Sequence, residues 1–223
     1  MRKGAMDNFF TTGIYALTAE NLSNGRSNIE VVDELIKAGI TFLQYREKDK
    51  KAKAMYEECS VIREKTWAAG VTFIVNDHID LAIAVKADGV HIGQEDLPPQ
   101  VVRKLIGNDL LLGLSTHNPE QVRMAEICSV VDYIGVGPVF ETKTKKDVCD
   151  AVGLEYVRYV AANSKLPFVA IGGIKEHNIA EVASAGAKTI AVVSDIVGAD
   201  DMKAKVQCLR KCMVERIGYK CQL

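Results

Sequence analysis

Gly135 to Asp147 reads GVGPVFETKTKKD. Just upstream, Val130, Val131, Tyr133 and Ile134, with Val136, make an apolar strand, which Gly135, Gly137 and Pro138 then break. A short polar loop follows, carrying Thr142, Lys143, Thr144, Lys145 and Lys146. Hydroxyls donate hydrogen bonds and ammonium groups supply compact point charges. Such a loop at the carboxyl end of a buried strand suits phosphate oxygens. The same run also reads as a solvated lysine-rich surface loop, and the rest of the chain has to decide.

The unit found here, an apolar strand with a polar or glycine-rich end and then an amphipathic helix, recurs about every 25 to 30 residues. Gly13–Thr18 (GIYALT) reads as the first strand. Ile29, Val32, Leu35 and Ile36 mark a helix over Asn28–Ala38, stopped by Gly39. Thr41–Tyr45, Val71–Val75, Gly89–Ile92 and Leu110–Leu114 read as strands two to five. Helices are predicted over Lys51–Ala69, Ile79–Val85 and Pro98–Gly107, and from Asn118-Pro119-Glu120 onward. Asp132–Val136 is the sixth strand, leading into the loop quoted above, and Leu154–Ala162 the helix after it. Pro167–Ile171 and Lys188–Val193 are strands seven and eight, with helices over Lys175–Ala185 and Asp200–Ile217.

Strands that are apolar throughout and rich in Val and Ile suit a parallel sheet covered by helices. Eight such units without a linker or low-complexity break predict one α/β domain over residues 1–223, a closed (β/α)₈ or TIM barrel. An open doubly wound sheet would need a switch point, and no GxGxxG follows the first strand.

Composition narrows the partners. With 28 Lys and Arg against 29 Asp and Glu, the formal charge is -1, so no global basic field points to nucleic acid or to an anionic membrane. The longest apolar runs, such as Ile190–Val193, fall far short of a membrane span. Met1–Phe10 lacks the apolar region of a signal peptide. The expectation is a soluble cytoplasmic protein acting on small molecules, with its oligomeric state open and a homo-oligomer allowed. Six scattered cysteines without a CxxC pair read as reduced core residues; Cys208 and Cys212 lie one helical turn apart, but no nearby pair completes a zinc set.

In such barrels chemistry collects at the carboxyl ends of the strands. There the chain has Gln44-Tyr45-Arg46-Glu47-Lys48 after strand two, Asn76-Asp77 after strand three and Gln94-Glu95-Asp96 after strand four. Strand five ends in Ser115-Thr116-His117, strand seven in Gly172-Gly173 and strand eight in Val193-Ser194. Arg46, Lys48 and Lys145 can neutralise a multiply charged group, with Ser115 as a hydroxyl donor; the alternative is surface pairing with Glu47. Residues 44, 46 and 48 share one side of an extended chain, which favours a site. Asp77 and Asp96 each read singly as helix caps, but as a pair beside cationic loops they suit Mg²⁺, which binds through one or two carboxylates plus substrate phosphates. The glycine pair and Ser194 match the phosphate site that barrels often form after strands seven and eight. His91 reads as a core or mouth histidine, and His117 as a candidate for a chemical role; no Ser-His-Asp order or GxSxG elbow suggests acyl transfer.

Seven ordered motifs, QYREK, VNDHIDLA, ADGVHIGQEDLP, GLSTHN, DYIGVGPVFETKTKKD, VAIGGI and AVVS, resemble the thiamine phosphate synthase (thiamine-phosphate pyrophosphorylase) family from about Tyr15 to Val197. The resemblance implies a transferase that joins an aminopyrimidine methyl diphosphate to a thiazole phosphate, or its carboxylated form, releasing pyrophosphate in a dissociative, Mg²⁺-assisted step. By motif, Gln44, Arg46, Lys48, Asn76, Ser115 and Lys145 fall to the pyrimidine diphosphate, with Tyr45 and Glu47 beside them counted as substrate-binding, and Asp77 and Asp96 fall to the metal. Thr142, Thr144, Gly173, Val193 and Ser194 fall to the thiazole phosphate, and Lys143, between the two threonines, is counted as substrate-binding. The chain departs from the family pattern at Glu141, where Pro is usual, and at Asp195, where Ala is usual. Rival expectations are a thiazole tautomerase, using the phosphate half-site alone, and a non-catalytic barrel that senses thiamine intermediates.

Overall fold

The computed structural model describes residues 2–142 and 150–218, with side chains from 4 to 142 and from 150 to 214. Helix α1 (Arg2–Thr11) precedes strand β1 (Ile14–Leu17). Then come α2 (Asn28–Lys37), β2 (Phe42–Tyr45), α3 (Ala52–Ala68), β3 (Thr72–Asn76), α4 (Ile79–Ala84) and β4 (Gly89–Ile92). The second half runs α5 (Pro99–Ile106), β5 (Leu111–Thr116), α6 (Pro119–Cys128), β6 (Tyr133–Val136), α7 (Gly153–Asn163) and β7 (Phe168–Ala170). It finishes with α8 (Ile179–Ser184), β8 (Thr189–Val192), α9 (Ser194–Val197) and α10 (Met202–Gly218). All eight strands are parallel and close into a barrel in sequence order, β8 pairing back onto β1 through Tyr15 and Ala191. The expected (β/α)₈ architecture is therefore present, with strand limits within two residues of those read from the sequence.

Local chemistry explains the element ends. Ser27 accepts from the Glu30 N–H while the Glu30 carboxylate accepts from the Ser27 N–H, a reciprocal box that opens α2. Asn118 caps α6 by accepting from the Gln121 N–H, with Pro119 in the first turn. At the amino end of the barrel, Asp132 accepts from Arg103 Nη2 at 2.7 Å and from the Leu112 N–H at 2.9 Å. Asp88 does the same for Arg63 at 2.7 Å and the Phe73 N–H at 2.8 Å. Each of these aspartates ties the start of its own strand to the preceding strand and to a helix outside it.

The period-two alternation of strands sorts side chains into two cores. Ile14, Leu43, Val90, Ile134 and their neighbours pack outward against the helices. Tyr15, Leu17, Phe42, Ile74, Leu111, Tyr133, Val169 and Ala191 fill the barrel interior, joined by Ala5 and Phe9 of α1. Phe9 meets Phe42 edge-on and Tyr133 at a tilt, with ring centroids 5.3 and 5.0 Å apart. Helix α1, which the sequence pattern did not mark, thus plugs one end of the barrel and leaves the other end to the loops.

Candidate active site

The same alternation decides which residues reach the mouth. On β2, Phe42 and Gln44 face the interior while Leu43 and Tyr45 face the helices; on β5, Leu111, Gly113 and Ser115 face inward. Register pairs Asn76 of β3 with His91 of β4, His91 with Gly113, and Ser115 with Gly135 of β6. Gln44, Asn76 and Ser115 therefore end the inward-facing rows of β2, β3 and β5. Just beyond β2, the Arg46 N–H donates to Thr18 Oγ1 at 2.9 Å, and the guanidinium is half-buried; desolvation lowers its pKa while Asp77 and Glu47 act to raise it. Lys48 Nζ stands 3.2 Å from Asp77 Oδ2.

Asp77 has a left-handed backbone, φ +61°, and its N–H donates to the His91 carbonyl at 2.9 Å. An aspartate tolerates this conformation better than most residues, at a cost that marks functional turns. Asp96 folds back on its own loop, Oδ2 accepting from the Gly93 N–H at 2.6 Å. Each carboxylate thus commits one oxygen within the protein and can offer the other. Among the described residues no group of three or more His, Cys, Asp or Glu forms a metal cage. Two hard carboxylates on neighbouring loops fit a cation that completes its shell with water and substrate phosphates.

Two of the expected ligands turn away. Tyr45 is buried among the outer residues, its hydroxyl donating to Glu58 Oε2 at 2.6 Å. Glu47 Oε1 accepts from Asn28 Nδ2 at 2.9 Å and from the Glu20 N–H at 3.1 Å. In this structure both serve the seam between β2, α2 and α3 instead of the mouth, because odd-numbered positions here point outward. His117 Nδ1 lies 2.5 Å from the Gly137 carbonyl, to which it must donate, so the ring anchors the loop after β6.

That loop and the one after β7 extend the pairing of their strands, with the Val139 N–H on the Ile171 carbonyl at 2.9 Å and the Phe140 N–H on Gly172 at 3.0 Å. Gly173 has φ +63°, and a Cβ there would sit 2.6 Å from the Glu141 carbonyl oxygen. A side chain is excluded, so the backbone comes directly against the residue before half-buried Thr142. Asn178 braces the turn, accepting from the Lys175 N–H at 2.7 Å and donating to the Gly173 carbonyl at 3.1 Å. This bracing is why the helix expected from Lys175 begins at Ile179. Val193 and Ser194 stand where β8 passes into α9. Asp195, unusual by family pattern, accepts from the Glu176 N–H at 3.0 Å and so ties α9 to the loop after β7. Lys143, Thr144 and Lys145 lie outside the described residues.

A feature not read from the sequence crosses the barrel interior. Gln44 Nε2 donates to the Tyr15 hydroxyl at 2.8 Å, Tyr15 meets the Tyr133 hydroxyl at 3.1 Å, and Tyr133 meets His91 Nδ1 at 3.1 Å. His91 Nε2 in turn lies 3.0 Å from Ser115 Oγ. The available signal was Gly113, a glycine inside a strand: a Cβ there would come within 2.3 Å of both His91 Nδ1 and Tyr133 Cζ.

Comparison with known proteins shows the family to which this barrel belongs. A family model described as thiamine monophosphate synthase matches residues 14–196. The chain is 62% identical over 210 residues to the thiamine-phosphate synthase of Pelotomaculum thermopropionicum, covering 94% of this chain and 96% of that one. It is 53% identical over 201 residues to the thiamine-phosphate synthase of Caldicellulosiruptor saccharolyticus, covering 90% of each. Among solved structures, the thiamine phosphate pyrophosphorylase of Pyrococcus furiosus superposes with a TM-score of 0.83 at 35% identity, covering 93% of this chain and 98% of that one.

Proposed function

The chain belongs to the thiamine monophosphate synthase family and is a transferase that makes thiamine phosphate, and from that premise we propose how its barrel mouth carries out the reaction. The substrates are an aminopyrimidine methyl diphosphate and a thiazole phosphate. The bond between the pyrimidine methylene and the diphosphate oxygen breaks first, its electron pair leaving with pyrophosphate. The ring amino group spreads the resulting positive charge, and the thiazole nitrogen lone pair then closes the new C–N bond.

Such a step asks the protein to neutralise a leaving group, not to supply a strong base. Arg46, Lys48 and Lys145 draw off its charge, Asn76 and Gln44 orient it, and Ser115 donates its hydroxyl. Asp77 and Asp96 would hold Mg²⁺, which when bound supplies Lewis-acid neutralisation of the diphosphate oxygens. Thr142, Thr144 and the backbone N–H groups around Gly173, Val193 and Ser194 hold the thiazole phosphate, with Lys143 nearby in the chain. Both substrates carry phosphate and stay in the compartment where they are made, which supports a cytoplasmic reaction. Among the described residues no helix is long and apolar enough to cross a membrane.

The observation that carries this reading is the meeting, at one end of one barrel, of Arg46, Lys48 and Asp77 with Gln44 and Ser115. The test is to incubate the purified protein with both substrates and Mg²⁺ and to follow thiamine phosphate and pyrophosphate together. Equal yields of the two, abolished in the Asp77→Asn, Asp96→Asn double variant, are expected. No condensation product, or a double variant with full Mg²⁺-dependent turnover, would overturn it. Thiazole isomerisation without the diphosphate substrate would point to the tautomerase instead.

A further inference from the structure

We propose that Tyr133 is a positioning residue: through His91 it fixes the direction of the Ser115 hydroxyl, so that this hydroxyl donates into the mouth. The proposal rests on the reading of Ser115 as a diphosphate ligand. Barrel interiors are normally packed with branched aliphatic side chains. Here two tyrosines exposed by 1% and 0% stand at the centre, and the chain of contacts Gln44, Tyr15, Tyr133, His91, Ser115 joins candidate ligands on opposite flanks of the mouth.

The polarity of that chain follows from its end. The Gln44 Nε2 group only donates, so Tyr15 accepts from it. Tyr15 keeps its own proton paired only by donating to Tyr133, and Tyr133 then donates to His91 Nδ1. The neutral imidazole must carry its proton on Nε2 and donate to Ser115 Oγ. With an oxygen lone pair of Ser115 occupied in this way, its hydroxyl proton is left to point at a substrate oxygen. The opposite polarity would make Ser115 donate to His91 and turn it into an acceptor, useless to an anion. Burial raises the pKa of both phenols, so both keep the protons with which they donate along the chain. Two observations indicate that the arrangement is built for this. Gly113 leaves the space that the His91 and Tyr133 rings occupy, and Gln94 Nε2 holds the Ser115 carbonyl at 2.6 Å.

The test combines kinetics with a readout that needs no turnover. Ser115→Ala should lower kcat about 100-fold, as for loss of one preorganised donor. Tyr133→Phe, which keeps the ring, should lower kcat about tenfold with an unchanged KM for the thiazole phosphate. Added to Ser115→Ala, it should cost less than about twofold, since it acts through that residue. Tyr15→Phe, one contact further away, should cost less than Tyr133→Phe and serves if the latter folds poorly. Independently, the ring-nitrogen NMR spectrum of His91 in the wild type should show the Nε2–H tautomer, shifting toward a mixture in Tyr133→Phe. An Nδ1–H tautomer in the wild type, or additive kinetic losses, would overturn the proposal. A Ser115→Ala variant with full activity would instead remove the ligand assignment beneath it. Loss of kcat in Ser115→Ala but not in Tyr133→Phe would refute the relay and leave that assignment standing.

Discussion

Asp77 holds a backbone conformation that glycine would adopt without strain, φ +61°, while its carboxylate meets Lys48 at 3.2 Å. The exposed ion pair stabilises little, whereas the left-handed backbone costs about 1 kcal/mol. Asp77→Gly should therefore raise Tm slightly in thermal unfolding while removing Mg²⁺-dependent turnover. Loss of both together would mean that the residue is structural. For Lys145 the expected effect is kinetic: Lys145→Ala should raise the barrier by on the order of 3 kcal/mol, as for other single charge-stabilising donors, measured as kcat. At this scale residue type and strand parity agree for Gln44, Asn76 and Ser115, which the barrel turns inward. Within QYREK, Tyr45 and Glu47 depart from the expectation of substrate ligands. Parity turns those two outward, where Glu58 and Asn28 engage them.

Among the elements, the loops after β6 and β7 behave as one unit, held by backbone bonds at 2.9 and 3.0 Å. Gly173→Ala would force a side chain into φ +63° and to within 2.6 Å of the Glu141 carbonyl. A strain of about 1–2 kcal/mol should displace the turn. The KM for the thiazole phosphate should rise roughly tenfold, with that for the pyrimidine diphosphate unchanged; equal changes in both would argue against separate half-sites. Strands were legible because continuous apolar runs with glycine or polar ends have few other fates. Short elements were not. Helix α9 has four residues, too few for a periodic signal, and the stretch from Lys175 to Asn178 carries helix formers that Asn178 diverts into a side-chain-braced turn. Helix α1 lies outside the sequence pattern because its buried contacts, Ala5 and Phe9 against the barrel interior, are long-range.

Across the whole molecule, the barrel separates a face for stability from a face for chemistry. Asp88 and Asp132 fasten the amino end with largely buried arginine pairs, and α1 closes it. Near the mouth, Glu58 joins β2, α2 and α3. Burial acts to raise its pKa, but Lys50, Tyr45 and Asn28 hold it below the usual carboxylate range. A depressed folded pKa gives stability that is present above the unfolded value and lost as pH falls through the folded one. Tm should accordingly fall more steeply below about pH 4.5 for the wild type than for Glu58→Gln; parallel curves would remove Glu58 from the acid transition. The fold could be read from repetition, and the candidate site rests on motifs at strand ends. The polar relay through the interior could not, since its members are spread over five strands and meet only when the barrel closes. The central claim is that a divalent ion and the cationic rim take up the departing diphosphate, and crystals soaked in pyrophosphate and Mn²⁺ test it most directly. An anomalous peak is expected between the carboxylates of Asp77 and Asp96, with the diphosphate against Arg46, Lys48, Asn76 and Ser115. A peak elsewhere, or a diphosphate bound only at Gly173 and Ser194, would contradict it.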